Sequence, residues 1–107
     1  MQASATLQSI LASDPRNTLA RRDLGGVYFE RKLYARAYAC LEQVAAVAPN
    51  DYVAQYELGL AGEHLGKFPD ALLHLQAACR LAPDSAQCRK DLNNLRHKTK
   101  PVRAVLQ

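Results

Sequence analysis

The most reactive side chains of this sequence are three thiols and three imidazoles: Cys40, Cys79, Cys88, His64, His74 and His97. A thiol becomes a catalytic nucleophile when a neighbouring base activates it, and the only loose pairing along one predicted helix is His74 with Cys79. The internal repeat described below places Cys79 at a packed position rather than in a pocket. We therefore predict no catalytic residue and no enzymatic activity. The three thiols are interpreted as small buried apolar groups in a reducing compartment.

The sequence gives equally little support for a metal site or a cofactor site. Three cysteines form an odd set without a C-x-x-C motif, which argues against a disulfide framework and against a structural zinc site. The histidines fall on different predicted helices. Nucleotide-binding loops and the H-E-x-x-H motif are absent, and Leu24-Gly25-Gly26 lies inside a predicted helix, where it cannot cradle a phosphate. We expect no cofactor and no metal.

A fixed internal period organises the chain. Shifting residues 58–83 back by 34 aligns Leu58-Gly59 with Leu24-Gly25, and it also aligns the pairs Phe68 and Tyr34, Ala71 and Ala37, Leu75 and Leu41, Pro83 and Pro49. These residues follow the pattern L-G-x-x-Y, A-x-x-x-F, P. The chain therefore resembles the tetratricopeptide repeat family, whose repeating unit is a helix–turn–helix with this period. The resemblance implies an all-α fold, an α-solenoid of antiparallel helix pairs with about five helices plus a C-terminal tail.

The repeat register divides the chain into one domain of residues 1–98 and a basic tail expected to be flexible, residues 99–107. The domain consists of a half repeat, two full repeats and a capping helix: residues 1–15, 18–51, 52–85 and 86–98. Three family positions depart from the pattern. Arg21 and Gln55 replace the opening tryptophan, Gly62 replaces the aromatic of the second copy, and Lys32 replaces the turn glycine of the first copy.

Glycine inside a helix costs roughly 1 kcal/mol relative to alanine, so Gly25 and Gly59 need a packing reason. We predict that they allow the second helix of each pair to approach closely. Gly26 has no such reason within the repeat pattern.

The net charge of +4 is unevenly distributed. Residues 1–88 contain 8 basic and 9 acidic side chains, whereas residues 89–107 contain 6 basic and 1 acidic. The basic ones are Arg89, Lys90, Arg96, Lys98, Lys100 and Arg103. They form either a solvated cap and tail or a surface for an acidic partner or for phosphates. Aromatic residues are absent there, which removes base stacking, and nucleic acid is not the expected partner.

No apolar run approaches the roughly 18–20 residues of a membrane span, and the N-terminal segment lacks the basic region of a signal peptide. We expect a cytoplasmic protein without a membrane span. The remaining apolar trio of the tail, Val102, Val105 and Leu106, is read as part of a flexible segment or of a strap docking on the array. Homodimerisation through the exposed terminal helices is a further alternative.

In the family, the first helices of the pairs line a concave surface, and the resemblance places a peptide-binding groove there. Its predicted residues are Leu19, Arg22, Gly26, Phe29, Val53, Tyr56, Leu60, Glu63, Lys90 and Asn94. An apolar strip with cationic flanks suits an extended or helical peptide with apolar anchors. The competing interpretation is that Val53, Tyr56 and Leu60 pack on neighbouring helices or on the tail.

One family subgroup holds a C-terminal carboxylate of chaperones with a Lys-Asn-Asn-Lys-Arg set. The corresponding positions here are Arg22, Gly26, Glu57, Gln87 and Asp91, of which only Arg22 is cationic. Binding of that type is therefore not expected. The sequence predicts a non-catalytic scaffold for a protein or peptide partner whose identity it does not specify.

Overall fold

The computed structural model describes residues 2–99, and these form six helices joined by short turns. They are α1 (Gln2–Ser13), α2 (Thr18–Glu30), α3 (Tyr34–Val47), α4 (Tyr52–His64), α5 (Phe68–Leu81) and α6 (Ala86–Thr99). The all-α prediction is confirmed, with one helix more than the expected count of about five. The last helix continues through Thr99, the first residue of the expected tail. The apolar trio predicted for a strap lies outside the described residues.

The helices follow one another as antiparallel neighbours. Helix α2 packs most extensively on α3 and α4 on α5, so these are the two pairs, while α1 precedes them and α6 follows. The Cα atoms of the described part extend over 54 × 25 × 20 Å, an elongated rather than spherical shape. Side-chain caps start the first helix of each pair: Asn17 accepts a hydrogen bond from the Ala20 amide at 2.9 Å, and Asp51 accepts one from the Ala54 amide at 3.2 Å.

The two glycines of the repeat lie where the helices of each pair cross. A Cβ at Gly25 would lie 2.7 Å from Leu41 Cγ, and one at Gly59 would lie 2.5 Å from Leu75 Cγ. Both leucines are fully buried. The predicted packing role of Gly25 and Gly59 is thus confirmed, and the period of the sequence is a period of helix contacts.

The turns between the helices of each pair also repeat. Gly66 follows α4 with φ +77°, and Lys32, one period earlier, follows α2 with φ +63°. Glycine adopts this left-handed conformation freely, whereas lysine does so at a cost. The turn geometry is therefore the same in the two copies even though the turn residue is not.

The core runs along the array in two clusters. The first joins α2, α3 and α4 through buried residues such as Leu24, Leu41 and Leu58, and Leu7 and Leu11 of α1 pack against its edge. The second joins α5 and α6 through Leu75 and other buried side chains. No helix within residues 2–99 is both long and apolar enough to cross a membrane.

Candidate functional site

A cleft opens between the first helices of the two full repeats, α2 and α4. Its volume is about 280 Å³. Its walls are formed by Arg22, Asp23, Gly26, Val27, Glu30, Val53 and Glu57. Both helices start at side-chain caps on equivalent repeat positions, so the caps fix where each helix begins beside this cleft.

Gly26 keeps the cleft open. A Cβ added at this position would meet only the Glu57 Oε1 atom, at 3.8 Å, which is an ordinary contact. The neighbouring Gly25 has no such freedom, because it faces Leu41. Gly25 thus faces the interior of the helix pair, whereas the consecutive Gly26 faces the cleft.

The charges of the cleft differ from the cationic flanks expected from the sequence. Arg22 forms an ion pair with Asp51, with Nε and Oδ2 2.9 Å apart, so its charge is compensated within the protein. The other ionisable side chains of the cleft are the carboxylates of Asp23, Glu30 and Glu57. The cleft therefore favours a hydrogen-bond donor or a cation over a carboxylate.

The surroundings of Glu57 perturb its carboxyl group. Burial raises the pKa of the Glu57 carboxyl, Glu30 raises it further, and Arg22 opposes the shift. Its Oε1 atom is shielded from solvent and has no hydrogen-bond partner among the described residues, and Arg22 Nε, which faces Asp51, likewise has no hydrogen bond of good geometry. A buried acceptor without a partner is costly, so a donor reaching into the cleft would be bound favourably there.

Only three of the ten predicted groove residues line this cleft: Arg22, Gly26 and Val53. Phe29 is half-buried and meets Tyr34 edge to face, with ring centroids 5.7 Å apart. Leu19 is 63% exposed on the first turn of α2.

Of the remaining predicted residues, three lie where α4 meets α6: Tyr56, Leu60 and Glu63. Tyr56 and Leu60 pack against the core cluster of α5 and α6, and the Tyr56 hydroxyl donates to Asp91 Oδ2. Glu63 pairs with Lys98. Lys90 and Asn94 are exposed on α6. For Tyr56 and Leu60, the structure thus supports the competing interpretation, in which they pack on a neighbouring helix.

Four cleft residues were missing from the predicted set: Asp23, Val27, Glu30 and Glu57. Asp23, Val27 and Glu30 follow an i, i+4, i+7 spacing, one residue displaced from the predicted stripe of Arg22, Gly26 and Phe29. A predicted stripe on α2 that was one residue wider would have included Asp23, Val27 and Glu30. Glu57 occurs in the sequence as an acidic residue at a carboxylate-clamp position, which was the available signal.

The thiols and imidazoles are placed differently from those of a catalytic pair. Burial and the neighbouring Cys79 thiol raise the pKa of the fully buried Cys88 thiol, and burial also raises the pKa of the Cys40 thiol. His74 Nδ1 lies 2.8 Å from Gln55 Oε1 rather than against Cys79. Among residues 2–99, no three potential ligands cluster as a metal site.

Comparison with known proteins identifies the repeat. One tetratricopeptide repeat family model matches residues 33–86 and a second matches residues 2–59. MamA from Desulfovibrio magneticus RS-1 is 27% identical over 92% of this chain and 56% of its own, with a TM-score of 0.86. An RS-1 MamA double mutant is 26% identical over 96% of this chain and 58% of its own, with a TM-score of 0.87.

MamA of AMB-1 is 25% identical over 90% of this chain and 52% of its own, with a TM-score of 0.85. The chain thus spans between half and three-fifths of the length of these structures. No curated protein matches the sequence.

Proposed function

Because the chain belongs to the tetratricopeptide repeat family, we propose that it is a non-catalytic protein-interaction module that binds a peptide segment of a partner along its first helices. The observation that carries this proposal is the α2–α4 cleft, where Gly26 leaves room beside the unpartnered Glu57 carboxyl oxygen. An extended or helical peptide recognised on such a surface gains its affinity from apolar anchors and from a few oriented polar groups.

Exposed apolar side chains in the first turns of α2 and α4 supply the proposed anchor sites. Val53 is 37% exposed and Leu19 is 63% exposed. The acidic lining adds a preference for a donor, such as a lysine, an arginine or a backbone amide of the partner. Of the predicted groove residues, Arg22, Gly26 and Val53 are proposed to contact the peptide directly, whereas Tyr56, Leu60 and Glu63 keep α6 in place beside it.

Gly26→Leu tests this proposal, because a leucine side chain would fill the cleft from a position with open space. Gly26→Ala is the matched control, since its single methyl group leaves most of the cleft open. Both proteins would be immobilised and exposed to lysate of the source cells after circular dichroism has shown equal helicity. We expect wild type and Gly26→Ala to retain a common protein partner and Gly26→Leu to lose it.

A partner retained equally by Gly26→Leu would refute the cleft as the binding site. Retention that is lost in high salt would then favour the basic C-terminal end. Retention of the chain itself would favour homo-oligomerisation through the terminal helices.

A further inference from the structure

A second, larger cavity lies on the other side of α6, against α5. It has a volume of about 720 Å³ and is lined by Gln76, Cys79, Arg80, Pro83, Arg89, Leu92 and Arg96. We propose that this surface, the three-arginine face, binds an acidic amphipathic helix of a partner protein. It is distinct from the α2–α4 cleft and shares no residue with it.

The repeat register indicates why a helix would fit there. Residues 89, 92 and 96 of α6 occupy the positions of Gln55, Leu58 and Gly62 in α4. In the second repeat these three are buried, and α5 covers that side: Gly62 faces Ala71, and Gln55 meets His74. On α6 the same side carries two exposed arginines around Leu92, so it presents a helix-binding position without a helix from the described residues.

The residues at this position do not suit an ordinary apolar helix of the repeat. Asn93, which is exposed, stands where Gly59 admits Leu75 in the preceding pair. A Cβ at Gly59 would collide with Leu75, so the side chain of Asn93 prevents the equivalent close approach. A helix docked on α6 must therefore lie farther out and meet polar groups, which the arginines provide.

The charges that line this cavity indicate which kind of partner would bind there. Three guanidinium groups line the cavity and no carboxylate does so among the described residues. Arg89 donates from Nη1 to the Pro83 carbonyl at 2.6 Å, which holds its guanidinium beside the cavity, while Arg80 and Arg96 are exposed. The nearby Lys98 is engaged by Glu63 on the opposite side of α6 and does not contribute.

The spacing of these groups matches a helix. Arg89 and Arg96 are seven residues apart on α6, which separates their Cα atoms by about 10 Å along the axis. Glutamates seven residues apart on a partner helix have the same separation. Leu92 (8% exposed), Cys79 and Pro83 line the same cavity and provide apolar surface for leucine side chains of the partner.

The test uses a fluorescein-labelled synthetic peptide of about 18 residues that forms an amphipathic helix with a leucine stripe flanked by glutamates. Its matched control replaces every glutamate by glutamine. Binding to the full chain is measured by fluorescence anisotropy at low and high salt. The protein variants are Arg80→Gln/Arg96→Gln and, as a control for net charge, Arg16→Gln/Arg31→Gln, which removes two exposed arginines elsewhere.

We expect the glutamate peptide to bind wild type and the Arg16→Gln/Arg31→Gln control equally, and the Arg80→Gln/Arg96→Gln variant about five- to tenfold more weakly. The glutamine peptide should bind weakly to all three proteins, and added salt should reduce the difference between the two peptides. Equal affinity for both peptides, equal losses in the two variants, or no binding of the glutamate peptide would overturn the proposal. Binding of polyuridylate in place of the peptide would overturn it in favour of nucleic acid.

Discussion

At the scale of single residues, glycine decides how closely the helices of each pair approach. The Cβ that a substitution would add at Gly59 lies 2.5 Å from Leu75 Cγ and 3.2 Å from the Leu75 backbone nitrogen. The second contact involves backbone, so the leucine side chain cannot relieve it by changing rotamer. The same atom at Gly26 finds space. Alanine substitutions at Gly59 and Gly26 therefore distinguish the effect of packing on stability from the effect of helix propensity.

We predict that Gly59→Ala lowers the free energy of unfolding by about 1–3 kcal/mol, because overpacking outweighs the gain in helix propensity. Gly26→Ala should leave it unchanged or raise it by up to about 1 kcal/mol. Urea unfolding followed by circular dichroism measures both values. A Gly59→Ala protein as stable as Gly26→Ala would contradict the contact with Leu75.

The turn residue of the first repeat adopts a backbone conformation that destabilises the folded state and that glycine would adopt more easily. Lys32 has φ +63° at the position where Gly66 stands in the second repeat. We predict that Lys32→Gly stabilises the protein by about 0.5–1 kcal/mol, whereas Gly66→Ala destabilises it by about 1 kcal/mol. Thermal unfolding of the two variants gives the signs, and a destabilised Lys32→Gly protein would show that the lysine side chain makes a contribution larger than the strain.

At the scale of elements, polar contacts repeat with the same period as the apolar ones. Gln55 donates from Nε2 to the Pro49 carbonyl at 3.0 Å, and Arg89, at the equivalent position of the next repeat, donates to the Pro83 carbonyl. Both residues occupy the position at which the family pattern often has tryptophan. In α4 and α6, a hydrogen bond from the helix to the preceding loop is made from that position.

Gln55 continues this contact to α5 through His74, and the half-buried imidazole makes stability depend on pH. Burial lowers the pKa of His74 below its ordinary value of 6.5, against the opposing effect of Asp70 and Glu42. The unfolded state therefore binds more protons than the folded state just below pH 6.5. The free energy of unfolding should fall as the pH decreases from about 6.5 through the folded pKa.

We predict that His74→Gln flattens this dependence, since a glutamine amide can still donate to Gln55 without titrating. Unfolding free energies measured between about pH 5 and 7 test it, with the same substitution at the exposed His97 as the control. An unchanged slope in His74→Gln would show that another group is responsible.

Tyr56 contributes a hydrogen bond to the contact between α4 and α6, because its hydroxyl donates to Asp91. Burial and the nearby Asp91 carboxylate raise the pKa of the Tyr56 phenol well above its ordinary value, so it stays a hydrogen-bond donor at neutral pH. Tyr56→Phe should cost about 1–2 kcal/mol. The loss should appear first as faster amide hydrogen exchange in α6.

Tyr34→Phe is the matched control for that variant, because the Tyr34 ring stacks on His64 at 4.0 Å and the substitution keeps the ring. We expect exchange in α6 to remain slow in it. Equal exchange rates for α6 in Tyr56→Phe and wild type would mean that the other contacts of the last helix hold it without the Tyr56 hydroxyl.

At the scale of the whole molecule, the internal period was sufficient to predict the helices, their pairing and the glycine contacts. The Asn17 cap and the Gly66 turn depend on neighbouring residues only, so local features of this kind are accessible to sequence reasoning. The surroundings of the predicted groove residues were less predictable. Spacing along α4 indicates which side chains share a face, but it does not indicate how far α6 reaches over Tyr56 and Leu60.

Ion pairs between residues distant in sequence were the second feature that could not be predicted. Arg22 meets Asp51 and Lys98 meets Glu63 through contacts between helices that are far apart in sequence. The first pair compensates the charge of Arg22, one of the two cationic residues predicted for the groove, and leaves the α2–α4 cleft with its carboxylates, whereas Lys90 stays exposed on α6. Net charge per segment cannot predict such pairs, because it ignores which faces meet.

If the α2–α4 cleft binds a partner peptide, site-specific photo-crosslinking from the cleft should trap that peptide. A photoreactive phenylalanine would replace Val53 beside the cleft or, as the control, Leu73, which is 63% exposed on α5. We predict a protein adduct at position 53 that disappears when Gly26→Leu fills the cleft, and no such adduct at position 73. An adduct at position 73 alone, or one at position 53 that persists in the Gly26→Leu background, would contradict the account.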